Sequence, residues 1–165
     1  LRMRANCCDE DVLVKLEEIG LCMRVYKNEK LQALGIDFVA PRLGDAGYDV
    51  YAVEEYVLMP MERALIETGL HLEIPLGYVG LVKDRSSVAS AGLHTMAGVI
   101  DASYRGEVKV LMINLSDAPY TVSTGQKIAQ LVVMPIYAQS VDVVDTLDDL
   151  TETARGTGGF GSTGG

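Results

Sequence analysis

Short apolar runs, each cut off by Gly, Pro, Asp or Asn, constrain this chain more than any other feature. Tyr56 to Met59, Ala64 to Thr68, Leu70 to Ile74, Tyr78 to Lys83, Glu107 to Asn114, Tyr120 to Val122, Ile128 to Met134 and Ile136 to Val144 are such runs. They recur at intervals of about 8–12 residues, the spacing of antiparallel strands joined by turns. Met23-Arg24-Val25-Tyr26-Lys27 alternates as a further strand, and Tyr48 to Val53 follows the turn-rich loop Pro41 to Gly47. Lys30 to Gly35 reads as a loop or a single helical turn. With no repeat and no regular alternation with helices, the pattern predicts an all-β sandwich or barrel. A length of 165 residues suits one domain with a real core.

The chemistry concentrates in Gly98-Val99-Ile100-Asp101-Ala102-Ser103-Tyr104-Arg105-Gly106-Glu107. A carboxylate after an apolar pair is expected to be partly desolvated, which suits a general base. Tyr104, three positions on, can wall the same pocket and stack on a flat ligand. Gly98 and Gly106 bracket the turn and permit a tight hairpin, with the strand resuming at Tyr104. Taken alone, an Asp in such a turn is more often an ordinary turn residue.

Four further segments remove that doubt. Ala46-Gly47-Tyr48-Asp49-Val50, Arg85-Ser86-Ser87-Val88-Ala89, Gly125-Gln126-Lys127-Ile128-Ala129-Gln130-Leu131 and Arg155-Gly156-Thr157-Gly158-Gly159-Phe160-Gly161-Ser162-Thr163-Gly164 flank the central motif in order. Together the five segments resemble the motifs of the homotrimeric dUTPases, over residues 23 to 165.

That resemblance implies a distorted jelly-roll or β-barrel subunit over residues 23–146. It also implies an N-terminal extension over 1–22 and a linker with a mobile Gly-rich arm over 147–165. The implied reaction is hydrolysis of dUTP to dUMP and pyrophosphate, which limits uracil in DNA and supplies dUMP for thymidylate synthesis. Asp101 would be the base that polarises water for attack on the α-phosphorus. Tyr104 would pack under the deoxyribose and exclude a 2′-hydroxyl. Backbone at Gly98 and Val99 would read the uracil edge, leaving no room for a 5-methyl group. Arg85, Ser86, Ser87 and Gln130 would grip the phosphates. Arg155, Phe160, Gly161, Ser162 and Thr163 of the arm would close over the substrate, Phe160 by stacking on uracil. Asp49 would accept hydrogen bonds from waters on Mg²⁺, an ion that keeps its hydration shell. Each site would draw on three subunits.

Net charge −9 argues against a nucleic-acid partner and opposes a triphosphate as well. A triphosphate substrate therefore calls for a few local cations, backbone N–H groups and a divalent cation travelling with the phosphates. The six glycines among the last eleven residues would by composition alone mark a plain flexible tail. Asp9-Glu10-Asp11 before Val12, Leu13, Leu16 and Ile19, with Gly20 behind, predicts a short peripheral helix. Leu147 to Thr153 is an acidic linker with at most one helical turn. The three cysteines, Cys7 and Cys8 adjacent, make neither a disulfide framework nor a zinc spacing. No apolar run reaches membrane-spanning length and no signal peptide is legible, so a cytoplasmic, soluble protein is expected.

Some positions depart from the family pattern. Ser103 stands where Asp usually precedes the motif's Tyr. Asp84 and Ser87 stand in place of Pro and Gly, and Lys127 in place of Arg. The related dCTP deaminases share the fold, but their arginine and glutamate positions hold Ser90 and Leu111 here. A regulatory nucleotide-binding protein of the same fold is the alternative of a different class. His94, His71, Glu107 and Tyr48 are assigned structural roles or none.

Overall fold

The structure, a computed structural model, describes residues 22–137, 140–154 and 156–157. The expected N-terminal helix, Cys7 and Cys8, and the arm residues Arg155, Phe160, Gly161, Ser162 and Thr163 lie outside the described residues. The strands, in order, are β1 (Arg24–Lys27), β2 (Tyr48–Tyr51), β3 (Tyr56–Leu58), β4 (Arg63–Ile66), β5 (Leu70–Glu73) and β6 (Tyr78–Asp84). They continue with β7 (Leu93–Met96), β8 (Val99–Ile100), β9 (Val110–Asn114), β10 (Tyr120–Val122) and β11 (Lys127–Pro135). Two five-residue helices interrupt them, α1 (Glu29–Ala33) and α2 (Ser86–Ser90). Leu147–Asp149 forms one 3₁₀ turn in the acidic linker. Among the described residues no helix is long and apolar enough to cross a membrane.

Every strand pairing among the described residues is antiparallel. β1 pairs with β5, and β3 with β10; β2-β11-β6-β8 form one larger sheet and β4-β9-β7 another. Short strands half-covered on one face cannot stand alone, so the small sheets close on each other around one core. Each contributes to it: Leu70 and Leu72, Leu58 and Val122, Val50, Val82 and Leu131, and Ile66, Leu93, Val110 and Met112 are all buried. The result is a jelly-roll subunit. The helices serve the same core. In α1 the Asn28 side chain accepts the Leu31 N–H at 3.1 Å, an N-cap that ends the preceding strand and swings Leu31 inward. α2 begins at the extended Arg85 and buries Val88.

The described polar interior is satisfied. The Asn114 amide donates to Leu58 O at 2.9 Å and Ala118 O at 2.8 Å, while its oxygen accepts from the Ser116 N–H and hydroxyl. One fully buried side chain thereby holds β9 against the end of β3 and fixes the following turn.

Three expectations need correction. Among the described residues of Ile136 to Val144 there is no strand. β11 ends at Pro135, and Tyr137, Val141 and Val143 are exposed with no strand edge of the described chain beside them. An apolar run becomes a strand only where a partner edge exists. Second, the strand does not resume at Tyr104; pairing returns with an isolated bridge at Glu107 and with β9 from Val110. Third, the tight hairpin around Asp101 is absent. β8 joins β6, β9 joins β4 and β7, and residues 101–109 carry the chain from one sheet to the other.

Candidate active site

The edge of the larger sheet opens into a cleft of about 650 Å³ lined by Asp49 and Tyr51 of β2, Arg85, and Lys127 and Gln130 of β11. The loop from Asp37 to Gly47 forms its other wall. The expected motif residues Asp49, Arg85 and Gln130, far apart in sequence, therefore meet. β11 reaches this arrangement through a bulge. Lys127 faces Tyr51 and Ala129 faces Val50, leaving Ile128 as an extra residue between them. Residues three apart in a regular strand point to opposite faces, so without the bulge Lys127 and Gln130 could not share the cleft. Ile128 and Ala129 are consecutively buried, as the bulge requires.

Asp49 sits between two cations. Arg85 pairs with its Oδ1, and Lys127 Nζ lies 2.7 Å from its Oδ2. Gln130 Nε2 donates to Asp84 O at 2.9 Å, which fixes the amide but leaves its second N–H available. Ser86 and Ser87 are exposed in the first turn of α2, where N–H groups have no intrahelical acceptor. Tyr48 packs as expected, its ring stacked on Phe38 with centroids 5.2 Å apart, and burial pushes its hydroxyl pKa up. Two cations leaning on one carboxylate can be drawn off by a stronger anion, so the cleft is suited to phosphate.

Asp101, Tyr104, Gly98 and Val99 lie elsewhere. None lines the cleft, and Asp101 is exposed, which corrects the expected partial desolvation: Val99 points outward at 65% exposure and Ile100 is only half-buried. The segment is nevertheless well defined. Gly98 has φ +91, and a Cβ there would lie 2.8 Å from Val82 O, while Val82 N donates to Gly98 O at 2.8 Å. No side chain fits that left-handed, closely approached position without displacing β6. Tyr104 N donates to Asp101 O at 3.0 Å, closing a turn, and the Tyr104 hydroxyl donates to Glu107 O at 3.0 Å. The Tyr104 ring end thus lies over Gly106, where any Cβ would strike it.

Two residues noted in the sequence only as departures have roles in the structure, one of them in the cleft. Lys127 is the second cation on Asp49, a role that β-strand periodicity without the bulge would have pointed away from. Asp84 anchors β7: its Oδ1 accepts the Thr95 N–H at 2.7 Å and its Oδ2 lies 2.7 Å from His94 Nδ1. Burial pushes the Asp84 carboxyl up, but the bonds from Thr95 and His94 together outweigh it and hold the pKa below its ordinary value. His94 is thereby a satisfied structural residue. Glu107 is likewise structural, its Oε1 accepting the Thr68 and Gly69 N–H groups at 3.1 and 2.8 Å.

Among the described residues no group of three or more His, Cys, Asp or Glu side chains forms a metal cage. One carboxylate flanked by cations suits a hydrated divalent ion brought in on phosphates better than a directly ligated one.

A family model described as dUTPase matches residues 36–164. The deoxyuridine 5'-triphosphate nucleotidohydrolase of Picosynechococcus is 45% identical over 124 residues, covering 73% of this chain and 85% of that protein. Its namesake from Mycobacterium marinum is 48% identical over 128 residues, covering 74% and 83%. Among solved structures, a dUTPase mutant of Staphylococcus bacteriophage 80alpha with dUpNHpp superimposes with TM-score 0.77 at 29% identity, covering 87% of this chain and 98% of that one. A phage phi11 dUTPase mutant, described as coordinating a structural Mg(II) ion, gives TM-score 0.69 at 29% identity, covering 78% and 99%.

Proposed function

The chain belongs to the dUTPase family, and from that premise we propose that it hydrolyses dUTP to dUMP and pyrophosphate at sites assembled between subunits of a homotrimer. The observation that carries this reading is the separation of the site into two halves on one chain. The phosphate cleft holds Asp49, Arg85, Lys127 and Gln130, while Asp101 and Tyr104 project from a loop that does not line it. A base and a phosphate grip that do not share a cleft within a subunit can meet on one substrate across an interface. The outward face of β4-β9-β7 offers one, since the cross-strand row Leu65, Leu111 and Met96 places apolar side chains on the side away from the core.

In this reading Asp101 takes the proton of a water aimed at the α-phosphorus, and the neighbouring subunit supplies the desolvation that Val99 and Ile100 alone do not give. Tyr104 packs against deoxyribose where a 2′-hydroxyl would clash. The backbone around Gly98 and Val99 pairs with the uracil edge and rejects cytosine by leaving buried polar groups unpaired. Arg85 and Lys127 release Asp49 and turn to the phosphates, joined by Gln130, Ser86 and Ser87. Asp49, freed, would hold the waters of Mg²⁺. The ion would neutralise phosphate charge and orient the triphosphate for in-line attack. The arm residues Arg155, Phe160, Gly161, Ser162 and Thr163 complete the enclosure from a third subunit. Such a substrate places the protein inside the cell.

Complementation tests the shared site. Asp101→Asn and Arg85→Ala chains are each prepared inactive, then unfolded, mixed and refolded together. Random reassembly gives about a quarter of sites both an Asp101 and an Arg85 from different chains, so dUTP turnover returns. A mixture as inactive as its components would refute the shared site.

A further inference from the structure

The loop that carries Asp101 and Tyr104 is exposed and has no strand pairing from 101 to 106, yet it must hold a base in place. Its fixation comes from β5. His71 faces outward on β5, and its Nδ1 lies 3.1 Å from Arg105 O. A carbonyl only accepts, so Nδ1 carries the hydrogen, and it does so whether the ring is neutral or charged. Two residues along, on the same face, Glu73 draws the Arg105 guanidinium at 3.7 Å. That guanidinium in turn donates to Ala102 O at 2.7 Å and Tyr104 O at 2.9 Å, inside the turn that follows Asp101. The Tyr26 ring, with its centroid 5.6 Å from that of His71, backs the imidazole from β1. The Val108 N–H to Leu70 O bond at 2.7 Å ties down the far end of the loop.

We propose that His71 is a positioning residue for the reaction: through Arg105 it clamps the Asp101–Tyr104 turn to β5 and so sets where the base and the sugar-packing ring stand. Glu73, whose Oε1 is held by Arg24 at 2.6 Å, adds a longer-range charge attraction on the side chain of the same arginine. His71 touches no substrate, and its sequence context, an alternating strand well upstream of the central motif, gives it no functional signal. The inference rests on the proposed dUTP hydrolysis for its kinetic consequence, though not for the clamp itself.

The test compares His71→Ala, His71→Asn and His71→Gln in the full-length protein. An Asn amide N–H falls near the position of Nδ1, whereas that of Gln reaches toward Nε2. His71→Ala is expected to lower kcat for dUTP by about 3- to 10-fold, the worth of one hydrogen bond, with a smaller change in KM. His71→Asn is expected to restore kcat to within about twofold and His71→Gln to leave it low. Hydrogen exchange over residues 101–107 reads the clamp independently of turnover, and the Tyr104 amide is expected to lose protection in the Ala and Gln variants only. Unchanged kcat and protection in His71→Ala would overturn the proposal, as would Asn and Gln variants that both behave as Ala with melting temperature falling in step. A wild type that leaves dUTP intact would sink the hydrolase reading instead, and the exchange result would still decide the clamp.

Discussion

Replacing Asp84 by Ala isolates a bond that this chain uses to hold β7 against the end of β6. The carboxylate accepts the Thr95 N–H at 2.7 Å in a buried setting, so its removal leaves that donor without its acceptor. Hydrogen bonds to charged groups contribute about 1.5–3 kcal/mol, and we expect a loss of about 2 kcal/mol. The contact with His94 adds little, because the imidazole is largely exposed. For a chain of this size that loss lowers Tm by roughly 4–8 °C. Asp84→Asn keeps an oxygen for Thr95 and is expected to lose about half as much. The pH dependence follows from the depressed pKa. The stabilisation is complete above the ordinary value of 3.8 and disappears as the pH falls through the lower folded-state value. Wild type and Asp84→Ala should therefore differ at pH 7 and converge at the acid end. Chemical denaturation at matched protein concentration measures this, since the stability of the proposed trimer would depend on concentration. A difference below about 0.5 kcal/mol at pH 7, or one that persists undiminished into acid, would refute the reasoning.

Other substitutions probe the cleft and the fold. Arg85→Ala should lower kcat/KM for dUTP by roughly 10²-fold by removing a charge-assisted phosphate contact, while Lys127→Arg, which keeps the cation, should stay within a few-fold; steady-state kinetics on the pair decides whether the cleft is the phosphate site. Glu67 accepts from Lys109 at 2.9 Å and Lys30 at 2.7 Å, and the bonds from these two ammonium groups hold its pKa at about 2. Glu67→Gln should thus be less stable than wild type above pH 4.5, with the gap closing as pH falls toward about 2. Urea titrations across that range follow the convergence; a constant gap would mean the ion pairs contribute nothing.

The strands were legible because their evidence is local: alternating or apolar runs between turn residues mark β3 to β6 and β10 to β11 almost to the residue. β7 carries no such mark, since His94 and Thr95 interrupt its apolar pattern and only pairing with β9 makes it a strand. Ile136 to Val144 failed in the opposite direction, having the pattern without a partner edge in the described chain. The candidate residues were legible through motif order, but their geometry was not. A bulge at Ile128 depends on how β11 packs against β2, and the exposure of Asp101 depends on what covers Val99. His71 and Asp84 act through a backbone carbonyl and a backbone N–H of distant segments, and no spacing along the chain encodes such a contact.

The central claim is that Asp101 drives dUTP cleavage at a site completed by the cationic cleft. Its most direct test is pyrophosphate release from dUTP, dCTP, dTTP and UTP with Mg²⁺, for wild type and Asp101→Asn. Asn preserves the side chain's shape and removes its basicity. The account predicts cleavage of dUTP alone, falling by roughly 10²-fold or more in the variant. Binding of dUTP without cleavage by the wild type, or equal turnover by Asp101→Asn, would contradict it.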